Sequence, residues 1–249
     1  MSPSSGTSTS TDPLPASGRG SVAVVVVAAG AGTRFGAEVP KAFVTLADRT
    51  LLAWSLDAAS ACPGVVQVVV VAPEAYLEVA RHETAYAGRP VEILVVSGGD
   101  ERRDSVAAGL AAVTEGVDVV LVHDAARALA PLALFATVAA AVSDAYAAVV
   151  PGLPVVDTVK TVDAHGIVTG TPDRSSLRAI QTPQGFRRDV LVRAHAAPGL
   201  RGVTDDAALV EALGEPVLVV PGDPLAHKIT TRDDLSRAED TVRARGGHP

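Results

Sequence analysis

The first apolar run, Val22–Val27, is six consecutive small or β-branched residues without a polar position among them. A run that short and that uniformly apolar fits a strand covered on both faces, as in a parallel sheet. The pattern repeats. Val65–Ala72 is a second run, broken only by Gln67, Val91–Val96 is a third and Val117–Val122 a fourth. Between them lie stretches with apolar residues at helical spacing. Leu51–Ala61 reads as an amphipathic helix, and helix signals run from Glu74 to about Tyr86. Arg102–Val113 carries Val106, Leu110 and Val113 on one face, and Leu132–Tyr146 follows the fourth run. Strand-then-helix units in series predict an α/β domain of three layers, a mostly parallel sheet with helices on both faces.

The rhythm breaks from Val149 to Phe186. Short β-prone pieces, Val155–Val162 and His165–Thr169, are joined through Asp163-Ala164 and Gly166. They predict a hairpin or β-arm inserted in the α/β core, at about residues 154–182. A helix (Asp205–Leu213), a strand (Val217–Val220) and a last helix (Arg232–Arg245) follow, with Thr204 and Thr231 as expected caps. No internal repeat or second boundary interrupts residues 22–249, so they are expected to form a single domain.

Residues 1–21 are rich in Ser, Thr, Pro and Gly, a composition that cannot bury enough apolar surface to order itself. A disordered tail is expected there, and an over-extended start codon accounts for it equally well. It lacks the basic start and apolar core of a secretory signal, and no apolar run is long enough to span a bilayer. The cytoplasm is the expected compartment. A net charge of −7 argues against general affinity for nucleic acid or an anionic membrane surface. The single cysteine, Cys62, excludes an internal disulfide and reads as a buried small residue.

In open α/β sheets a ligand sits beyond the C-terminal ends of the strands, and the chemically unusual residues cluster there. The first strand runs into Ala28-Ala29-Gly30-Ala31-Gly32-Thr33-Arg34-Phe35-Gly36, closed by Pro40-Lys41. Such a loop lets its amide groups approach an anion, and Arg34 and Lys41 add two cations suited to a polyphosphate. The loop is not a dinucleotide fingerprint, because Phe35 occupies the third glycine position, nor a Walker A loop, because Ala42 follows Lys41. The third strand ends in Ser97-Gly98-Gly99-Asp100-Glu101-Arg102. Asp100, Arg102 and Ser105 are placed to hydrogen-bond a base or ribose; the alternative is a plain turn with Asp104 or Ser105 capping the next helix. The fourth ends in His123-Asp124-Ala125-Ala126-Arg127, where Asp124 suits Mg²⁺ beside phosphate oxygens or a salt bridge to Arg127. Asp205-Asp206 reads as first-turn residues favoured by the helix dipole.

These motifs occur in one order. Ala28-Ala29-Gly30-x-Gly32-x-Arg34-x-Gly36 with Pro40-Lys41 resembles the signature of nucleotidyltransferases that join a nucleoside triphosphate to a phosphorylated small molecule. Gly98-Gly99-Asp100-Glu101-Arg102-x-Asp104-Ser105-Val106, Val122-His123-Asp124-Ala125-Ala126-Arg127, Asp157-Thr158-Val159-Lys160, Gln181-Thr182-Pro183-Gln184 and Lys228-Ile229-Thr230 narrow the likeness. Together they resemble the 2-C-methyl-D-erythritol 4-phosphate cytidylyltransferase family of the non-mevalonate isoprenoid pathway, over about Val22 to Arg245.

The resemblance implies a three-layer Rossmann-like fold and cytidylyl transfer from CTP with Mg²⁺. It implies that Arg34 and Lys41 stabilise charge at the α-phosphate, and that Arg174 and Lys228 position the methylerythritol phosphate. Asp124 would contact Mg²⁺ or the substrate diol. Ala28, Ala29, Gly30, Gly32, Gly99, Asp100, Ser105 and Ala125 would line the CTP site, with Arg127, Thr158, Thr182 and Thr204 in weaker substrate contact. The arm would cross to a second subunit of a homodimer, so that Thr158 and Arg174 serve the partner's site. The chain departs from the family's usual pattern at Val27, Ala128 and His227, none of which removes a proposed catalytic charge. Two rival readings share the loop: a cytidylyltransferase for another polyol phosphate such as ribitol 5-phosphate, and a non-catalytic nucleotide-sensing relative.

Overall fold

The apolar runs form the parallel half of one sheet. In the computed structural model, which describes residues 20–30, 39–85, 91–198 and 205–246, β1 (Val22–Val27) lies between β4 (Val65–Ala72) and β6 (Val119–Asp124), with β5 (Glu92–Ser97) beyond β4. All three pairings are parallel, and Val27 stands level with Val71 and Asp124, and Ala72 with Ser97. The C-terminal ends of β1, β5 and β6 therefore open on one side of the sheet. Before β4 come a small hairpin, β2 (Thr45–Leu46) with β3 (Arg49–Thr50), and helix α1 (Leu51–Ala61). Helices α2 (Leu77–Thr84), α3 (Arg102–Ala111) and α4 (Leu132–Ala141) are the connections that follow β4, β5 and β6.

The other half of the sheet is mixed. β7 (Ala148–Pro154) is paired antiparallel by β10 (Arg178–Ile180) and by β11 (Gln184–Arg187), and β11 also runs antiparallel to β6. β12 (Val217–Pro221) lies parallel to β7. Between β7 and β10, β8 (Thr161–Val162) and β9 (Val168–Gly170) make a separate two-stranded antiparallel hairpin. Helices α5 (Arg188–Ala196), α6 (Asp206–Glu211) and α7 (Arg232–Ala244) complete the chain. The mostly parallel sheet with helices on both faces agrees with the sequence reading. Strands β7, β10 and β11 and helix α5 are additions to it, and the β-prone Val155–Val162 is a strand only over its last two residues.

The period-two alternation of β1 divides the core. Val22, Val24 and Val26 face Leu52 and Leu56 of α1 and Phe135 and Val138 of α4. Ala23 and Val25 face Val106 and Leu110 of α3, in a layer that also holds Leu191 of α5 and Leu209 of α6. A third cluster joins Leu46, Leu51, Trp54 and Leu129 to Ile229 and to Ala238 and Val242 of α7. α1 thus packs on two sides, and eight of its eleven residues are buried rather than one stripe. The second buried side is Leu51 and Trp54, which join the third cluster. α4 stops at Ala141, short of the expected Tyr146, because Val142 turns extended. Gly109 fixes the seat of α3: a Cβ there would come within 2.5 Å of Val25 Cγ1.

Candidate active site

Each strand end is braced before it meets the cleft. Ala28 N–H donates to Val71 O at 2.8 Å, carrying the β1–β4 pairing one residue past β1. Residues 31–38, with Gly32 and Arg34, lie outside the described residues, as does Thr204. The chain re-enters at Val39, and Lys41 opens a single 3-10 turn, Lys41–Phe43, whose Phe43 N–H donates to Pro40 O. Phe43 is buried and stacks on Tyr76 at 4.9 Å. That anchor carries Lys41 to the rim.

The β5 end turns tightly because it has no side chains. A Cβ on Gly98 would lie 2.5 Å from Ala29 Cβ, and one on Gly99 would collide with Asp104 Cβ. Ser105, 2% exposed, accepts the Gly99 N–H at 3.3 Å and so ties the turn to α3. The cap of α3 is Glu101, with Asp104 as its reciprocal partner in a capping box. Ser105 faces back into the turn instead of capping.

At the β6 end, Asp124 N–H donates to Thr182 Oγ1 at 3.0 Å, and Thr182 Oγ1 lies 3.2 Å from His123 Nδ1. His123 is fully buried against Phe135, and burial pushes its pKa down to about 3, so the ring is neutral. The Asp124 carboxylate takes two cations: Lys228 Nζ donates to Oδ2 at 2.8 Å and Arg102 Nε to Oδ1 at 3.3 Å. Burial works to raise the Asp124 pKa, but Arg102, Lys228 and Arg127 outweigh it and hold the carboxyl well below the usual range. For Arg102, burial alone would favour loss of charge; Asp206 and Asp124 override it and raise the pKa.

Lys228 is set by its neighbour. Ile229 is buried in the third hydrophobic cluster, and its N–H donates to Ala126 O at 2.9 Å. Arg127 secures the same segment from behind: Nη1 donates to Ala226 O at 2.7 Å and Nη2 to Ile180 O at 3.3 Å. Burial lowers the Arg127 pKa, partly offset by Asp124. Gln181 exchanges hydrogen bonds with both backbone groups of Asp223, adding a second tie between these loops.

The result is a cleft of about 220 Å³. Ala28, Ala29, Gly30, Lys41, Gly99, Asp100, Ser105, Asp124 and Lys228 line it, so the structure brings these motif residues together. Ala125 is buried next to it, with Ser55 Oγ donating to its carbonyl. Arg127 and Thr182 support the cleft through main-chain contacts and do not line it. Thr158 and Arg174 are exposed on the arm, outside the cleft of their own chain, and Arg174 Nη1 donates to Val156 O at 2.5 Å. α6 is capped by Asp205, which accepts Ala208 N–H and the Gln184 amide. Asp206 is buried rather than dipole-placed at a solvated turn, and it binds Arg102. One signal in the sequence marks Arg102: a cation on the first turn of a helix opposes the helix dipole, so another group must hold it there.

Comparison with known proteins was made against this geometry. The family model described as IspD: 2-C-methyl-D-erythritol 4-phosphate cytidylyltransferase matches residues 22–244. The chain is 52% identical over 218 residues to a bifunctional enzyme IspD/IspF of Clavibacter michiganensis subsp. michiganensis. That match covers 87% of this chain and 53% of the relative, so the chain spans about half that protein's length. It is 50% identical to the 2-C-methyl-D-erythritol 4-phosphate cytidylyltransferase of Rhodococcus jostii, covering 87% of this chain and 92% of the other. Its fold matches the crystal structure of 4-diphosphocytidyl-2C-methyl-D-erythritol synthase from Anaerococcus prevotii with a TM-score of 0.79. That match has 27% identity and covers 91% of this chain and all of that one.

Proposed function

The chain belongs to the 2-C-methyl-D-erythritol 4-phosphate cytidylyltransferase family, and from that membership we propose how its strand-end cleft carries out cytidylyl transfer. It is a CTP-dependent nucleotidyltransferase of isoprenoid precursor synthesis. The reaction joins CTP and 2-C-methyl-D-erythritol 4-phosphate into 4-diphosphocytidyl-2-C-methyl-D-erythritol and pyrophosphate. The observation that carries the mechanism is the convergence of Lys41, Arg102 and Lys228 on one cleft, with the ionised carboxylate of Asp124 paired to two of them.

A phosphate oxygen of the alcohol phosphate attacks the α-phosphorus of CTP. The bond to the bridging oxygen breaks and pyrophosphate leaves. A phosphomonoester has a second pKa of about 6 and is already mostly dianionic at neutral pH, so the step needs no general base. His123, neutral and sealed from solvent, is not required as one. The barrier lies in bringing two anions together, and fixed cations answer it by positioning and electrostatics. Lys41, with Arg34 from the loop, serves the α-phosphate. Lys228 draws the incoming phosphate, and Ala28, Ala29, Gly30, Gly32, Gly99, Asp100, Ser105 and Ala125 seat the CTP. Arg127 and Thr182 hold the walls, and Thr204 completes the substrate side.

Among the described residues no three acidic, His or Cys side chains gather as a metal cage. Each Asp124 oxygen already accepts one cation. This donor set fits Mg²⁺ that takes most ligands from phosphate oxygens and water, with Asp124 as a carboxylate ligand. Asp124 would hold it, and it would supply charge neutralisation for the triphosphate.

Residues 22–249 act as one domain, with the arm at about 154–182 crossing to a second copy in a homodimer. Exposed Val156, Val162, Ile167 and Val168 on that arm support this. Thr158 and Arg174 then serve the partner's cleft. No helix among the described residues is long and apolar enough to cross a membrane; the cytoplasm is the compartment we assign.

Pyrophosphate release from the four ribonucleoside triphosphates, each offered methylerythritol phosphate and ribitol 5-phosphate, tests the reading. Release is expected only with CTP and methylerythritol phosphate. Equal turnover on ribitol 5-phosphate would move the substrate, and tight CTP binding without release would make the chain a sensor.

A further inference from the structure

Behind the cleft, two helices that contribute nothing to its lining converge on Arg102. Asp206, at the start of α6, is 1% exposed, and its Oδ2 accepts Arg102 Nη1 at 2.6 Å. The same carboxylate's Oδ1 lies 3.0 Å from Nε2 of His195, in the last turn of α5, whose side chain is 5% exposed. A carboxylate can only accept, so His195 Nε2 carries the proton that points at Asp206. Among the described residues its Nδ1 is buried without a partner, which leaves the imidazole ring a single polar connection there, the one to Asp206. The next residue of α3, Arg103, donates from Nη2 to His195 O and Ala197 O, both at 2.9 Å, and pins the end of α5 to the start of α3.

Arg102 is therefore shared. One edge of its guanidinium is held by Asp206 and the other approaches Asp124 at the longer distance of 3.3 Å. Two carboxylates compete for one planar cation, and the shorter bond goes to the more deeply buried one. We infer that His195 and Asp206 are positioning residues for the reaction: they hold Arg102 back from Asp124 and so leave Asp124 to Lys228 and the substrates. The His195 N–H occupies the second Asp206 oxygen and orients its carboxylate toward Arg102. Without that tether the guanidinium closes on Asp124 and competes with Lys228. The inference rests on the cytidylyl-transfer reading, because Arg102 matters here only through that cleft.

A cycle of variants assayed by pyrophosphate release from CTP and methylerythritol phosphate tests it. His195→Leu and Asp206→Asn are each expected to lower kcat/KM by about tenfold, within the usual range of coupling between contacting residues. In an Arg102→Met background the same changes are expected to cost less than about twofold, because the residue they act on is gone. His195→Gln, whose amide can donate from the Nε2 position, is expected to recover most of the loss. Thermal melting of every variant separates folding from positioning. Losses that add fully in the Arg102→Met background, or a His195→Gln variant as poor as His195→Leu with an unchanged melting temperature, overturn the inference. A wild-type chain that releases no pyrophosphate overturns the functional reading instead, and the two failures are distinct.

Discussion

Replacing Asp124 by Asn removes one charge and little shape. The Asp124 amide keeps its bond to Thr182, since that bond uses the backbone. What is lost is the carboxylate between Lys228 at 2.8 Å and Arg102 at 3.3 Å. At an effective dielectric of about 20 those separations correspond to gross attractions of about 6 and about 5 kcal/mol. Most of this is cancelled by the cost of holding the carboxylate out of water, several kcal/mol in real proteins. The Lys228 side chain is 40% exposed and can turn to solvent, which discounts its share further. The net loss of stability is about 2 kcal/mol, a fall in Tm of about 4–8 °C for a domain of this size. The sign with pH follows from the depressed pKa. The charge stabilises fully above the unfolded value of about 3.9, and its contribution is lost as pH falls through the folded value. The stability gap between wild type and variant is therefore flat from about pH 5 to 8 and closes on acidification. For activity, CTP affinity is expected to hold or tighten, because the cleft gains net positive charge. Turnover is expected to fall about a hundred- to a thousandfold, the usual loss for a preorganised charge. Titration calorimetry with CTP and steady-state pyrophosphate release measure both. A kcat within about threefold of wild type, or a stability gap that widens toward acid, would refute this account of Asp124.

Lys41→Ala is expected to reduce kcat by about a hundred- to a thousandfold while CTP affinity changes far less, read from single-turnover and binding measurements. Mixing Lys41→Ala with Arg174→Ala protein, each nearly inactive alone, is expected to regain activity, because one of the two sites in a mixed dimer carries neither lesion; proven subunit exchange without regain argues against arms that serve the partner. Gly109→Ala sets a Cβ against Val25 Cγ1 and is expected to cost about 1–3 kcal/mol of stability, with kcat falling as well because the same helix begins at Arg102; denaturant titration and turnover check the pair. Removing divalent ions with a chelator is expected to stop pyrophosphate release and Mg²⁺ to restore it, while the folding transition of the ligand-free chain stays in place, since among the described residues no acidic, His or Cys cluster forms a metal cage.

The parallel half of the sheet was readable because its strands are buried on both faces, and burial on both faces writes an unbroken apolar run into the sequence. The antiparallel half was not. β11 reads Gln184-Gly185-Phe186-Arg187, with no alternation to find, and Gly185 is there because a Cβ would press on Val138 Cγ1 at 2.7 Å. Its identity as a strand comes from β6 and β7 on either side, which no local pattern records. α5 carries only Val190, Leu191 and Ala194 toward the core among charged neighbours, too short a stripe to announce a helix. The same division runs through the site. Lys41, Gly99 and Asp124 stand out as residue types in motifs, whereas Lys228 is unremarkable in its own stretch and is marked only by the family resemblance. Arg127 and Thr182 stood out too, but their tasks are set by groups 53 to 99 residues away, and contacts at that separation leave no local trace. Asp206 was read from its neighbourhood as a helix-start residue, and burial against Arg102, 104 positions distant, gave it a different task.

A cleft built to receive anions faces a problem before the anions arrive. Arg102 and Lys228 repel each other, and a buried cation without a partner is costly. Asp124 answers this by pairing with both cations at once. Its carboxyl stays ionised because of them, and they stay in place because of it. If Lys228 draws the incoming phosphate as proposed, binding there exchanges one anionic partner for another rather than creating a new ion pair. An exchange gains less free energy than a new pair and is easier to reverse, which suits a site that must release a charged product on every turnover. The two cations are not equally free to exchange. Arg102 is held by the buried Asp206, whereas the Lys228 ammonium sits on a flexible four-carbon stem, its side chain 40% exposed. In the proposed mechanism the more exposed cation would follow the incoming phosphate while the buried one keeps the field of the cleft constant.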